Sequence, residues 1–205
     1  MSVTMRRKFT RREVAGLLFG ILTVGAVQPA LAGTDPAEGY VGDIADEVMG
    51  LANGSAKGDA LRGKFAAVLN RYISLRNIAN FALGPYQKQL PAGDKEEFYR
   101  LFSNYAAALF VFYVDDFRGS GLEILSNSQQ GKFTTINSAI VLNSGGREQV
   151  KWRLIQAGGG YKISDVNVKG VWLTIATKKR FNDVLNRSKG DFGALFADLK
   201  EAETW

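Results

Sequence analysis

The chain of 205 residues contains no cysteine and no histidine. Without cysteine there is no disulfide framework and no thiol nucleophile. Without histidine the commonest general base and metal ligand is missing. Ser-His-Asp and Cys-His catalysis and histidine-containing zinc sites are therefore excluded outright. A long apolar span is also missing from the body of the chain. The longest run there is Tyr105 to Val114, ten apolar residues, against the ~20 that a membrane helix needs. No internal repeat and no low-complexity tract is present. The triple glycine Gly158-Gly159-Gly160 lacks the Lys-Ser/Thr and the following helix of a phosphate-binding loop, so a hairpin turn is expected there.

What is present begins with an address. Arg6, Arg7, Lys8, Arg11 and Arg12 form a basic stretch, Val14 to Val27 is apolar, and Ala30-Leu31-Ala32 has the form of a cleavage site. Thr10-Arg11-Arg12-Glu13-Val14 resembles a twin-arginine export signal. The expectation is a cleavable signal over residues 1–32 and a periplasmic mature chain over 33–205. A retained anchor is the alternative, disfavoured by the short apolar run. Five of the 26 basic residues and one of the 20 acids lie in this segment, so residues 33–205 carry 21 against 19, a net +2. The basic character of the whole chain belongs largely to the leader and implies no nucleic-acid partner.

Residues 33–205 suit one domain with a sizeable core. Thr34 or Asp35 can cap an amphipathic helix with Pro36 in its first turn, whose face is Tyr40, Val41, Ile44, Ala45, Val48 and Leu51. A second helix is expected over Asp59 to Ile73 and a third over Asn77 to Leu83, stopped by Gly84-Pro85. A long helix is expected from Asp94, as N-cap, to Phe117. Beyond Gly119 the pattern alternates, giving strands at Leu122 to Leu125, Phe133 to Leu142, Gln149 to Ile155 and Tyr161 to Val168. Tyr161 and Ile163 fall on odd positions and Val166 and Val168 on even ones, so a bulge is expected near Ser164-Asp165. Helices follow over 174–203, broken near Lys189-Gly190-Asp191. The expected fold is α+β: helices 35–117, a curved four-stranded antiparallel sheet within 121–173, and C-terminal helices. The long helix is the candidate for the layer directly above the sheet.

Isolated chemical motifs favour plain readings. Adjacent carboxylates Asp115-Asp116 point about 100° apart on a helix and fit a solvated helix end better than a proton-sharing pair. Lys178-Lys179-Arg180 fits a solvated helix start, or a site for anionic head groups or an acidic partner. Asp165, in an apolar strand, needs a partner, and a structural hydrogen bond at the bulge is favoured. The aromatic residues carry more information: Phe81, Tyr86, Phe98, Tyr99, Phe102, Tyr105, Phe110, Phe112, Tyr113 and Phe117 crowd one region. A core stripe through Phe98, Phe102 and Tyr105 leaves Ala106, Phe110, Val114 and Phe117 on a second face. That face meets either protein or a lipid.

Asn77-Ile78-Ala79-Asn80-Phe81-Ala82-Leu83-Gly84-Pro85-Tyr86, then Glu97-Phe98, Leu101-Phe102 and Tyr105, then Trp152-Arg153-Leu154, Lys162 to Val171, and finally Arg180-Phe181 and Val184-Leu185 together resemble the MlaC (toluene-tolerance) family in order and spacing. The departures are Asn77 for the usual Asp, Asn80 for Arg, Gln87 after Tyr86, and Trp172 for Ser. The resemblance implies a periplasmic carrier without catalytic residues or cofactor. It would hold phospholipid acyl chains in a hydrophobic pocket between the helical layer and the sheet. Its partners would be an outer-membrane lipoprotein complex and an inner-membrane ABC transporter complex, in the service of outer-membrane lipid asymmetry. Hopanoid or another lipid, or a non-lipid interaction module with a solid core, are the alternatives; a hydrolase built on Asp165 has little support. From the matched segments and their neighbours, the candidate pocket residues are Phe81, Leu83, Tyr86, Phe102, Ala106, Phe110, Val114, Trp152, Val166, Val168 and Val171.

Overall fold

The computed structural model describes residues 35–204, without the side chains of Asp116, Phe117 and Glu203. The expected export signal at 1–32 lies outside the described residues. The chain runs α1 (Pro36–Asn53), α2 (Gly58–Tyr72), α3 (Leu75–Leu83), α4 (Lys95–Phe112), β1 (Gly119–Gln130), β2 (Phe133–Leu142), β3 (Arg147–Ala157), β4 (Gly160–Val168), β5 (Val171–Trp172), α5 (Leu173–Arg187) and α6 (Phe192–Glu201). The strands form one antiparallel meander in sequence order. The expected architecture holds, with a fifth strand in place of the four anticipated. A two-residue strand has no periodicity to announce it. It exists because Lys169 and Gly170 both take positive φ, +52° and +83°, which folds Val171 back onto Val168.

The other turns follow their glycines. Gly158 and Gly159, at φ +60° and +81°, close the two-residue hairpin between β3 and β4, so the triple glycine is a turn. Three residues interrupt the ladder: Ser120 and Leu125 in β1, and Ser164 in β4, where Arg153 pairs with Asp165 but Leu154 with Ile163. The last is the bulge that the parity change from Ile163 to Val166 requires, and it keeps both residues on the inner face. Bulges add twist and bend, and so curve the sheet. The bulge at Leu125 turns that side chain out to solvent.

Three expectations for the long helix change. Asp94 has helical angles and makes no capping bond, because a 3-10 turn at Ala92–Asp94 already leads into α4. The α-helix ends at Phe112, where Tyr113 N–H bonds back to Leu109 and Val111, and Val114–Phe117 tightens into a 3-10 turn. The layer nearest the sheet is also not α4. Helix α1 lies along β1 and β2, and α2, α3 and α5 reach β4, whereas the main backbone neighbours of α4 are α2, α6 and α3.

Two apolar clusters result. The sheet-side cluster joins Val41, Ile44 and Val48 of α1 and Phe65 and Leu69 of α2 to Ile136, Val150, Trp152 and Leu154. The helical cluster joins Leu83, Phe98, Leu101 and Phe102 to Phe181, Leu185, Leu195 and Leu199. Asp165 ties the sheet to the second cluster. Its Oδ1 accepts from the backbone N–H of Val166 (2.9 Å) and of Thr174 (3.0 Å), and its Oδ2 accepts from the Thr174 hydroxyl at 2.5 Å. Arg153 Nη1 is 3.7 Å away. Trp172, at the N-cap position of α5, offers no oxygen there. A carboxylate on the neighbouring strand therefore performs the capping and complements the helix dipole. Asp165→Ala is expected to lower stability by about 2 kcal/mol, from the lost cap and the stranded Thr174 N–H. Denaturant midpoints check the size, and amide exchange should show the loss first in residues 173–177.

Candidate functional site

Helix α4 presents two apolar faces with different fates. Phe98, Leu101, Phe102 and Tyr105 are closed off by the C-terminal helices. Phe181 is the hub, with ring centroids 6.3 Å from Phe98, 6.0 Å from Phe102 and 5.9 Å from Tyr105. Ala106, Phe110, Val111 and Val114 turn toward the sheet-side cluster and stay only half-buried. Phe110 stacks on the buried Phe65 of α2 at 5.2 Å.

The strand residues opposite form an apolar wall. By register the inner face carries Leu122 and Ile124, Ile136 and Ile140, Val150, Trp152 and Leu154, and Val166 and Val168. By the same register Asn127, Thr134 and Glu148 border this patch, and one polar residue, Ser138, lies within it. Its hydroxyl accepts from Trp152 Nε1 and donates to the Val150 carbonyl, both at 2.9 Å. Both groups are thereby satisfied inside the sheet, and no unpaired buried side-chain polar atom is present among the described residues. The apolar residues of such a wall can solvate apolar chains.

Six of the sequence candidates converge here: Ala106, Phe110 and Val114 from α4, and Trp152, Val166 and Val168 from the sheet. The other five lie elsewhere. Leu83 and Phe102 are buried in the helical cluster. Tyr86 flanks it and donates to Asn186 Oδ1 at 2.7 Å. Phe81 is exposed beneath Lys178, and Val171 is exposed on β5. Phe81 and Leu83 are two residues apart on α3, and the helical period turns them to different sides. Sequence reasoning passed over Phe65, Leu122 and Ile124, the last two on the alternation of β1 that marks the inner face.

The departures from the family pattern avoid this wall. Asn77 Nδ2 donates to Ser74 Oγ at 2.7 Å, and Asn80 Oδ1 accepts from the Tyr99 hydroxyl at 2.9 Å. Trp172 lies under Arg153, 4.0 Å from ring to guanidinium, a cation–π contact beyond the inner face. Of the charged motifs, Asp115 pairs with Arg118 at 2.7 Å as an exposed helix end. Lys179 pairs with Asp183 at 2.6 Å, and Arg180 grips Asp198 with two bonds near 3 Å.

At the hairpin end of the sheet Tyr40, Tyr72 and Tyr161 close the cluster, with Tyr40 5.7 Å from Tyr72 and 5.9 Å from Tyr161. Outside them a cleft of about 630 Å³ runs between α1 and the Gly158–Gly160 turn. A second, polar cleft of about 390 Å³ lies between α5 and α6. Neither is lined by any of the eleven sequence candidates. Burial, and then the neighbouring Tyr72, push the Tyr40 hydroxyl from 10.0 up to about 12. The unfolded chain gives up this proton near pH 10 while the folded chain keeps it, so stability falls as pH rises from 10 through 12. Discounted for solvent screening, the Tyr40 share is on the order of 1 kcal/mol. Alkaline denaturation of Tyr40→Phe should show a correspondingly shallower loss.

Comparison with known proteins fits this geometry. The profile of the family described as MlaC protein matches residues 43–201. Curated protein sequences give no match. Among solved structures, the phospholipid-binding protein from Ralstonia solanacearum in complex with a phospholipid is similar, with a TM-score of 0.68 over 83% of this chain and 98% of that one, at 17% identity.

Proposed function

The chain belongs to the MlaC family, and from that premise we propose that it is a periplasmic lipid carrier with phospholipid as cargo. The observation that carries this reading is the half-buried apolar face of α4 opposite an apolar sheet wall. Each buried methylene stabilises binding by about 0.8 kcal/mol. A tail with some ~14 buried carbons would gain on the order of 10 kcal/mol before ordering costs. The pocket we propose is lined by Ala106, Phe110, Val114, Trp152, Val166 and Val168, and opens as the Phe65–Phe110 stack separates. Residues 1–32 act as a cleavable export signal and 33–205 as one lipid-binding domain. The carrier serves an outer-membrane lipoprotein complex and an inner-membrane ABC transporter complex, and so supports outer-membrane lipid asymmetry. The structural likeness to a phospholipid-bound protein supports the fold of this reading.

The Phe65–Phe110 stack at 5.2 Å favours a second reading, an interaction module with a solid core. Transfer of labelled phospholipid between donor and acceptor vesicles separates the two. A carrier moves label in proportion to its concentration; a solid-core module leaves the label on the donor. For the export signal, the periplasmic chain should begin at Gly33.

A further inference from the structure

We propose that the start of α5, with Phe81 of α3, is a docking surface for the headgroup region of an anionic lipid bilayer. Among the described residues seven large apolar side chains stand exposed, and four belong to this segment or to α3 beside it: Phe81 (45%), Val171 (52%), Leu173 (38%) and Ile175 (54%). Soluble surfaces tolerate such side chains singly, whereas a cluster marks a contact site. The same segment carries four lysines and arginines and no carboxylate from Lys169 to Asn182. Lys179 is ion-paired with Asp183 and Arg180 with Asp198, so Lys178 foremost supplies its cationic character.

Packing holds the two chemistries together. Asn182 Nδ2 donates to the Ala82 carbonyl at 3.1 Å, fixing α5 against α3. Lys178 Nζ lies 4.7 Å above the Phe81 ring. Ile175 precedes Lys178 by three residues and shares its side of the helix. The Lys169-Gly170 turn, with both residues at positive φ, carries Val171 at its end. Apolar side chains interleaved with lysines suit the boundary between headgroups and acyl chains, where the lysines meet phosphate and the apolar groups enter ~5–10 Å. A second copy is disfavoured, because pairing would set like-charged segments face to face.

The surface is distinct from the sheet wall, so binding of cargo and binding of vesicles can fail separately. The cysteine-free chain permits a direct test. Ile175→Cys, and Ser55→Cys in the exposed α1–α2 loop, each carry one environment-sensitive fluorophore. Vesicles of phosphatidylglycerol mixed with phosphatidylcholine are compared with phosphatidylcholine alone. The expected result is a blue shift at position 175 only, only with phosphatidylglycerol, with affinity reduced about fivefold by Lys178→Glu. No shift at 175, or equal shifts at both positions, overturns the proposal. A shift that grows with protein concentration without vesicles assigns the surface to a second copy instead. A shift that needs native envelope membranes and is lost after protease treatment assigns it to a protein receptor.

Discussion

Phe181→Ala should destabilise the chain by about 4 kcal/mol, the largest stability loss expected of a single truncation here. Phe181 is fully buried at the meeting point of α4 with α5 and α6. Three rings of α4 surround it, at 5.9 to 6.3 Å, two of them edge-on. Truncation removes its apolar burial, the aromatic contacts and the support under Phe98 and Phe102, which the helix backbones cannot fill by moving. Denaturant titration should show a large drop in midpoint with little change in slope. The lipid-binding capacity of the folded fraction should be unchanged, because Phe181 belongs to the cluster that faces away from the sheet wall.

Phe110→Glu should do the reverse. The side chain is half-buried and its neighbours on that side are apolar. A carboxylate there keeps its hydration in the cargo-free protein but must be desolvated or displaced when an acyl chain enters. Burial of an unpaired charge costs several kcal/mol, so affinity should fall by more than about 100-fold at neutral pH. Phe110→Leu keeps the apolar lining and should retain binding. If Phe110 is instead part of a solid core, Phe110→Glu should unfold the domain, which circular dichroism distinguishes from loss of cargo by a folded chain.

Much of this fold is visible in the sequence wherever periodicity is strong. The α1 stripe of Val41, Ile44, Ala45 and Val48 is buried as its spacing requires, and the parity break between Ile163 and Val166 locates the bulge at Ser164. Where side chains do not alternate, pattern reasoning fails. The outer half of β1, Ser126 to Gln130, is polar on both faces and exposed, held as a strand by pairing with β2. Strand β5 exists through its turn alone. The candidate site was half legible. An all-round apolar helix shows that α4 has two faces, but which face meets the C-terminal helices depends on Phe181, some 70 residues away. That contact assigns Phe102 to packing and leaves Phe110 toward the sheet.

Native mass spectrometry of the protein isolated without detergent, with organic extraction of the same sample, tests the central claim most directly. The carrier reading predicts a population heavier than the bare chain by the mass of a lipid, recovered as phospholipid in the extract and missing from Phe110→Glu. A folded protein at the bare chain mass, with no lipid in the extract, would contradict it.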